Sequence, residues 1–223
     1  MKNRVSAIII CLFLSVASVC ATAQENYSDS IQISLLTCSP GPAIYELYGH
    51  TAIRVTNHTT GNDIVFNYGL FDFSSPNFIW RFTLGKTDYL LGAEYYKNFE
   101  RSYTKRGSKI YQQDLKISKS ESTKLFNLLS THAKPENRVY RYNFLDNNCA
   151  TMALDKIEEA VNGKIKYTQM DTTTTYRQLL HKYNMVSPWS SFGTDLVIGA
   201  DADTAIQNRQ FAFAPLELME LLA

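Results

Sequence analysis

Asn147-Asn148-Cys149-Ala150-Thr151-Met152-Ala153-Leu154-Asp155-Lys156-Ile157 is the stretch on which the reading of this chain turns. Asn147 or Asn148 is a natural N-cap, because an amide oxygen can accept from the free N–H groups of a first helical turn. Ala150, Ala153, Leu154, Ile157 and Val161 then share one face, and Gly163 stops the run. The spacing predicts a helix that opens on a cysteine. A thiol in that position feels the positive end of the helix dipole, so its pKa falls and thiolate forms near neutral pH.

Such a thiol needs a proton partner, and His50 stands in the right local setting for one. It follows Glu46-Leu47-Tyr48-Gly49 and opens Thr51-Ala52-Ile53-Arg54-Val55, an alternating run that reads as a strand. The two residues lie 99 positions apart, so only the fold can bring them together.

Further strands are expected at Ile31 to Leu35, at 51–57 and 63–68 joined by a hairpin through Asn57-His58-Thr59-Thr60-Gly61-Asn62, at 108–117 and at Val139 to Phe144. Phe71 to Tyr103 is dense in aromatics, with short helical patterns around Asn77 to Leu84 and Tyr95 to Tyr103. Ser118-Lys119-Ser120-Glu121 resembles a capping box. It predicts a helix with Leu125, Phe126, Leu128 and Leu129 inward that stops before Pro135. Asp171 to Tyr183 reads as one more helix. The expected class is α+β, an antiparallel sheet packed against the cysteine helix, with helical insertions and no linker that would divide residues 24–223 into two domains.

Residues 1–23 read as a cleaved secretory signal peptide. Lys2 and Arg4 precede the apolar run Ala7 to Val19, and Ala21-Thr22-Ala23 is a small-x-small cleavage site. Cys20 offers a lipoprotein alternative, but Val19 stands where a lipobox needs a small residue. No later segment is long and apolar enough to span a bilayer, so the expected product is periplasmic, at most peripheral to a membrane. The net charge of +1 gives no basic bias, which excludes nucleic acid as an expected partner. Of the four cysteines only Cys38 and Cys149 follow the signal, and in an exported chain the plain alternative is a disulfide between them.

Five ordered blocks resemble the Lnb N-terminal periplasmic domain family. They are Leu35 to Gly41, Tyr48 to Val55, Phe66 to Phe73, Tyr142 to Thr151 and Phe192 to Gly199. Lnb proteins of Bacteroidota are lipoprotein N-acyltransferases, so the resemblance implies transfer of an acyl chain to the amine of a lipidated N-terminal cysteine. Full-length members continue into a membrane-spanning part, whereas this sequence runs to Ala223. The order of histidine before cysteine is also similar to permuted papain-like enzymes related to NlpC peptidases and lecithin:retinol acyltransferase. That resemblance implies His50 as general base and Cys149 as nucleophile.

A thiolate–imidazole pair is commonly completed by a group that holds the ring. Asn67 is the first candidate, on the strand that returns beside His50, and Asp72 the second. The oxyanion donors expected are the Cys149 backbone N–H and the Asn148 side chain. Cys38 is a second site thiol, a disulfide partner or a packing residue. His58, His132 and His181 read as solvated, and no histidine spacing suits a metal, so no cofactor is expected. Between 71 and 110, Arg81, Lys86, Lys97, Arg101, Lys105, Arg106 and Lys109 interleave with aromatics, a pattern suited to lipid headgroups or to ordinary solvated faces. Three functions remain open. The leading one is a thiol-dependent acyltransferase with a phospholipid donor and a lipoprotein acceptor. The others are a cysteine amidase or peptidase acting on cell-wall peptides, and a non-catalytic lipid- or lipoprotein-binding module.

Overall fold

The computed structural model describes residues 31–223, apart from 42, 44–45, 72–75, 78–79, 82–83, 85 and 185–187 and the side chains of 188, 190, 197 and 201. The signal-peptide reading and the Asp72 candidate therefore lie outside the described residues. A single antiparallel sheet of six strands organises the chain: β1 Ile31–Cys38, β2 His50–Asn57, β3 Asn62–Leu70, β4 Asp88–Tyr95, β5 Ile110–Asp114 and β6 Val139–Arg141, in the order β5-β1-β2-β3-β4-β6. The β2–β3 hairpin forms where Asn57-to-Asn62 predicts it. Asn57 Oδ1 accepts from the backbone of Thr59 and Thr60, and Gly61 takes a positive φ. β4 is a strand the sequence reading passed over, and β6 is shorter than the expected Val139–Phe144.

The alternation of the strands gives the sheet two buried faces. One carries Ile33, Leu35, Ile53, Val55, Phe66 and Tyr68, and meets α2 (Lys119–His132), α3 (Cys149–Ala160) and α6 (Pro215–Leu221). The other carries Leu36, Cys38, Ala52 and Val65 and is closed by Phe99 and Tyr103 of α1 (Tyr96–Lys105). The capping box forms as predicted: Ser118 accepts from the Glu121 backbone, and Glu121 reaches back to the Ser118 backbone. Leu125 and Leu129 are buried, while Phe126 and Leu128 pack at the margin. In α3 the predicted face is inward, and Leu154 and Ile157 each contribute about 1.5–3 kcal/mol by leaving water.

Helices α4 (Tyr176–Asn184) and α5 (Pro188–Ile198) and 3-10 segments at Ala200–Asp203 and Asn208–Phe213 complete the C-terminal part. Arg209 ties this part to α3 through Asp155 and Glu158. Ala212, Leu218 and Leu221 enter the same core as α3, so one continuous core joins both parts. Among the described residues no helix is long and apolar enough to cross a membrane.

Candidate active site

Cys149 is the first residue of α3, and Asn148 is its N-cap. Asn148 Oδ1 accepts from the backbone N–H groups of Ala150 (2.8 Å) and Thr151 (3.0 Å), and Thr151 Oγ1 accepts from the Asn148 backbone (2.9 Å). This reciprocal cap satisfies the second and third amides of the helix and leaves the first, that of Cys149, outside the cap. The Asn148 amide nitrogen donates to the carbonyls of Phe144 (2.7 Å) and Phe213 (2.8 Å). Both of its N–H groups are thus committed, which corrects the expectation that its side chain donates to an oxyanion. Asn148 supports the site by fixing where the helix begins.

His50 opens β2, and the end of that strand meets the start of α3. Gly49 lets it do so: its φ is +77°, and a Cβ there would lie 2.5 Å from the Cys38 carbonyl oxygen. Gly69, at φ +92°, occupies the gap between the reactive side chains, 3.5 Å from Cys149 Cβ and 3.7 Å from His50 Cε1, measured from the position its own Cβ would take. The β3 register shifts between Asn67 and Leu70, a bulge that re-aims the strand beside the site. His50 and Cys149, far apart in sequence, meet on either side of Gly69, close enough for each to shift the other's proton affinity, and both are half-buried.

The third expected member is also present. Asn67 is buried, and its Oδ1 lies 2.6 Å from His50 Nε2. An amide oxygen only accepts, so Nε2 must donate, which leaves Nδ1 as the ring nitrogen that exchanges a proton with sulfur. Glu94 lies on β4, the strand that pairs with the one carrying Asn67. Burial holds the Glu94 carboxyl above its ordinary range, and the Asn67 hydrogen bond partly offsets this. Sequence reading missed Glu94 because it missed the strand that carries it.

The electrostatics favour an ion pair. Burial alone would push the Cys149 thiol up, but the charge and hydrogen bond of His50, with backbone hydrogen bonds from Thr51 and Cys149, hold it below its ordinary value. Burial would likewise push His50 down, and the Cys149 thiolate together with Asn67 raises it instead. Around the pair stand Tyr89 and Tyr140, whose phenols are raised by burial first and by the thiolate charge second, and Tyr142, raised by burial, then by Tyr89, then by the thiolate. Tyr103 lies nearly parallel to the imidazole at 6.0 Å. The Arg106 guanidinium sits 3.7 Å over that phenol and pairs with Glu46.

Cys38 is buried on the α1 face and, like Cys149, is a free thiol, so the disulfide alternative does not hold. Its partner in the β1–β2 register is His50, yet burial pushes its pKa up to about 12. His132 differs from expectation: it is half-buried, its Nδ1 lies 2.9 Å from the Tyr68 hydroxyl, and burial lowers its pKa. His58 is exposed beside Gln32, and His181 is on the α4 surface beside Asp195. Among the described residues no group of three or more His, Cys, Asp or Glu side chains is placed to hold a metal ion.

The α+β fold thus brings a strand histidine, a helix-start cysteine and an asparagine on the neighbouring strand into one site. The Lnb N-terminal periplasmic domain matches residues 20–182, and the chain belongs to that family. His50, Asn67, Glu94 and Cys149 all lie within the matched range, whereas the Phe192–Gly199 block lies beyond it. No curated protein and no solved structure matches the chain.

Proposed function

We propose that this protein is a periplasmic, cysteine-dependent acyltransferase that places an acyl chain on the N-terminal amine of lipoproteins. The observation that carries the reading is the Cys149–His50–Asn67 arrangement, with the 2.6 Å ring-to-amide hydrogen bond and the lowered thiol. Family membership supports the lipoprotein substrate. The fold is read as a permuted papain-like one, supported by the order of strand histidine before helix cysteine and by the packing of α3 on the sheet.

In the first step the Cys149 thiolate attacks the ester carbonyl of a phospholipid. The ester C–O bond breaks, a C–S bond forms, and the leaving alkoxide takes its proton from His50. The backbone N–H of Cys149, which the Asn148 cap leaves uncommitted, would donate to the developing oxyanion. In the second step the lipoprotein amine attacks the thioester, its proton passes to His50, and the C–S bond breaks to restore the thiolate. Residues 1–23 would deliver the chain to the periplasm. No cofactor enters either step.

The same arrangement would serve a cysteine amidase or peptidase on cell-wall peptides, with water as acceptor. Intact-mass analysis after incubation with diacyl phospholipid tests the first step: one acyl adduct on wild-type protein and none on Cys149→Ala. Adding a diacylated lipopeptide with a free amine should give a triacylated peptide. Cleavage of the peptide, with no adduct and no triacyl product, would contradict the transferase reading.

A further inference from the structure

Helix α5 (Pro188–Ile198) turns three large apolar side chains to solvent, although Ile198 at its end packs against the core. A surface helix normally buries its apolar stripe and offers polar residues to water. Here Ser191, Thr194 and Asp195 face the protein. Ser191 Oγ donates to the Asn184 carbonyl at 3.4 Å. Thr194 Oγ1 lies 3.3 Å from the Tyr48 hydroxyl and accepts from Asn184 Nδ2 at 3.2 Å. Asp195 is held by Arg177 at 2.6 Å and His181 at 2.9 Å. On the other side Trp189, Phe192 and Leu196, at i, i+3 and i+7, are 84%, 64% and 75% exposed.

We infer that this outward face of α5 docks the protein on a phospholipid surface, and that it thereby holds Cys149 at the bilayer that contains the acyl donor. The inference rests on the acyl-transfer reading for the purpose of docking, and on the helix itself for the docking. Asp195 is the single charged residue of the helix, and it is neutralised from within, so the outward face offers no charge to a polar partner. Trp, Phe and Leu on one face are the side chains that settle at the boundary of headgroups and acyl chains. A second copy of the chain is a poorer occupant. Three side chains at about 150–250 Å² each present roughly 500 Å² when partly exposed. A stable dimer needs about 800 Å² from each partner. The helix is also bolted to the site. Tyr48, bonded to Thr194, lies two residues before His50, and its ring packs edge-on against Phe144 at 5.2 Å, on the segment leading into Cys149.

The chain has two tryptophans, so Trp80→Phe leaves Trp189 as the sole reporter. Carried on Cys149→Ala to separate binding from chemistry, this protein is mixed with vesicles of phosphatidylethanolamine and phosphatidylglycerol. Trp189 emission should shift to the blue and be quenched by bromine-labelled acyl chains. Trp189→Ser, Phe192→Ser and Leu196→Ser together should reduce the co-sedimented fraction at least ten-fold with an unchanged circular dichroism spectrum. With Cys149 intact, the triple variant should form its acyl adduct at the wild-type rate from a micellar donor and at least ten-fold more slowly from vesicles. An unshifted Trp189, or vesicle binding equal in the triple variant, would overturn the inference. So would a dimer dissolved by the triple substitution without any vesicle binding, which would assign the face to a second copy. Absence of an acyl adduct from any donor, with vesicle binding intact, would strike the acyl-transfer reading and leave the docking face standing.

Discussion

Cys38 and Cys149 are two thiols near one imidazole, and the fold drives them in opposite directions. Cys38 sits opposite His50 in the β1–β2 register, yet burial among Leu36, Ala52, Val65 and Phe99 leaves its thiol protonated, pushed up to about 12. Cys149 is also packed into protein, but it meets the His50 ring, the Thr51 backbone and its own helix-start amide, and its pKa falls. Nearness to a histidine does not activate a cysteine. What matters is whether donors and positive charge reach the sulfur strongly enough to outweigh desolvation.

The comparison is broken most severely at Cys149 and His50. Cys149→Ala should abolish acyl-enzyme formation, and His50→Ala should slow it by on the order of 10³-fold or more, with the double variant no worse than Cys149→Ala alone. Single-turnover mass kinetics reads both, and an unchanged rate in His50→Ala would mean that Cys149 acts without the ring. Asn67→Ala removes the acceptor that holds His50 Nε2, and should cost about 10- to 100-fold in the same assay. An unchanged rate would mean that the ring is held by Tyr103 stacking alone.

Asn148→Ala sharpens the distinction between a cap and an oxyanion donor. Loss of the cap, with two carbonyls left unpaired, should lower unfolding stability by about 2 kcal/mol in a urea titration. The residual folded protein should keep its acylation rate within a few-fold, because both amide N–H groups are bound to the Phe144 and Phe213 carbonyls; a 10²-fold loss at full folding would restore the oxyanion role. Cys38→Ala should have the smallest effect on chemistry: about 1 kcal/mol of stability and an unaltered acyl adduct on Cys149. The raised Cys38 thiol also sets a pH trend. A group raised on folding stabilises fully below its unfolded pKa and loses that contribution as pH rises toward about 12, so wild-type protein should weaken above pH ~9 more steeply than Cys38→Ala.

The site was legible where its signals are local. The N-cap, the helix-start thiol, the β2–β3 hairpin and the Ser118 capping box each rest on a few adjacent residues, and Asn67 followed from the hairpin that returns it beside His50. Glu94 was not legible, because Asp88–Tyr95 is defined by its place between β3 and β6 and carries Gly92 among aromatics rather than a clean alternation. The commitment of Asn148 depends on the Phe213 carbonyl, 65 residues away, which no local pattern announces. Helix α5 escaped notice for a related reason. Trp189, Phe192 and Leu196 face outward while Ser191, Thr194 and Asp195 turn inward, so no core stripe marks it in the sequence.

The most direct test of thiolate activation is the rate of iodoacetamide alkylation at each cysteine across pH, read by peptide mass in wild-type protein and in His50→Ala. A thiolate–imidazolium pair requires Cys149 to react with a midpoint below the ordinary thiol value of 9.0 and to lose that advantage in His50→Ala, while Cys38 stays unmodified until the protein unfolds. A Cys149 midpoint at or above 9.0, unchanged by His50→Ala, would contradict activation by the pair and leave Cys149 a structural thiol.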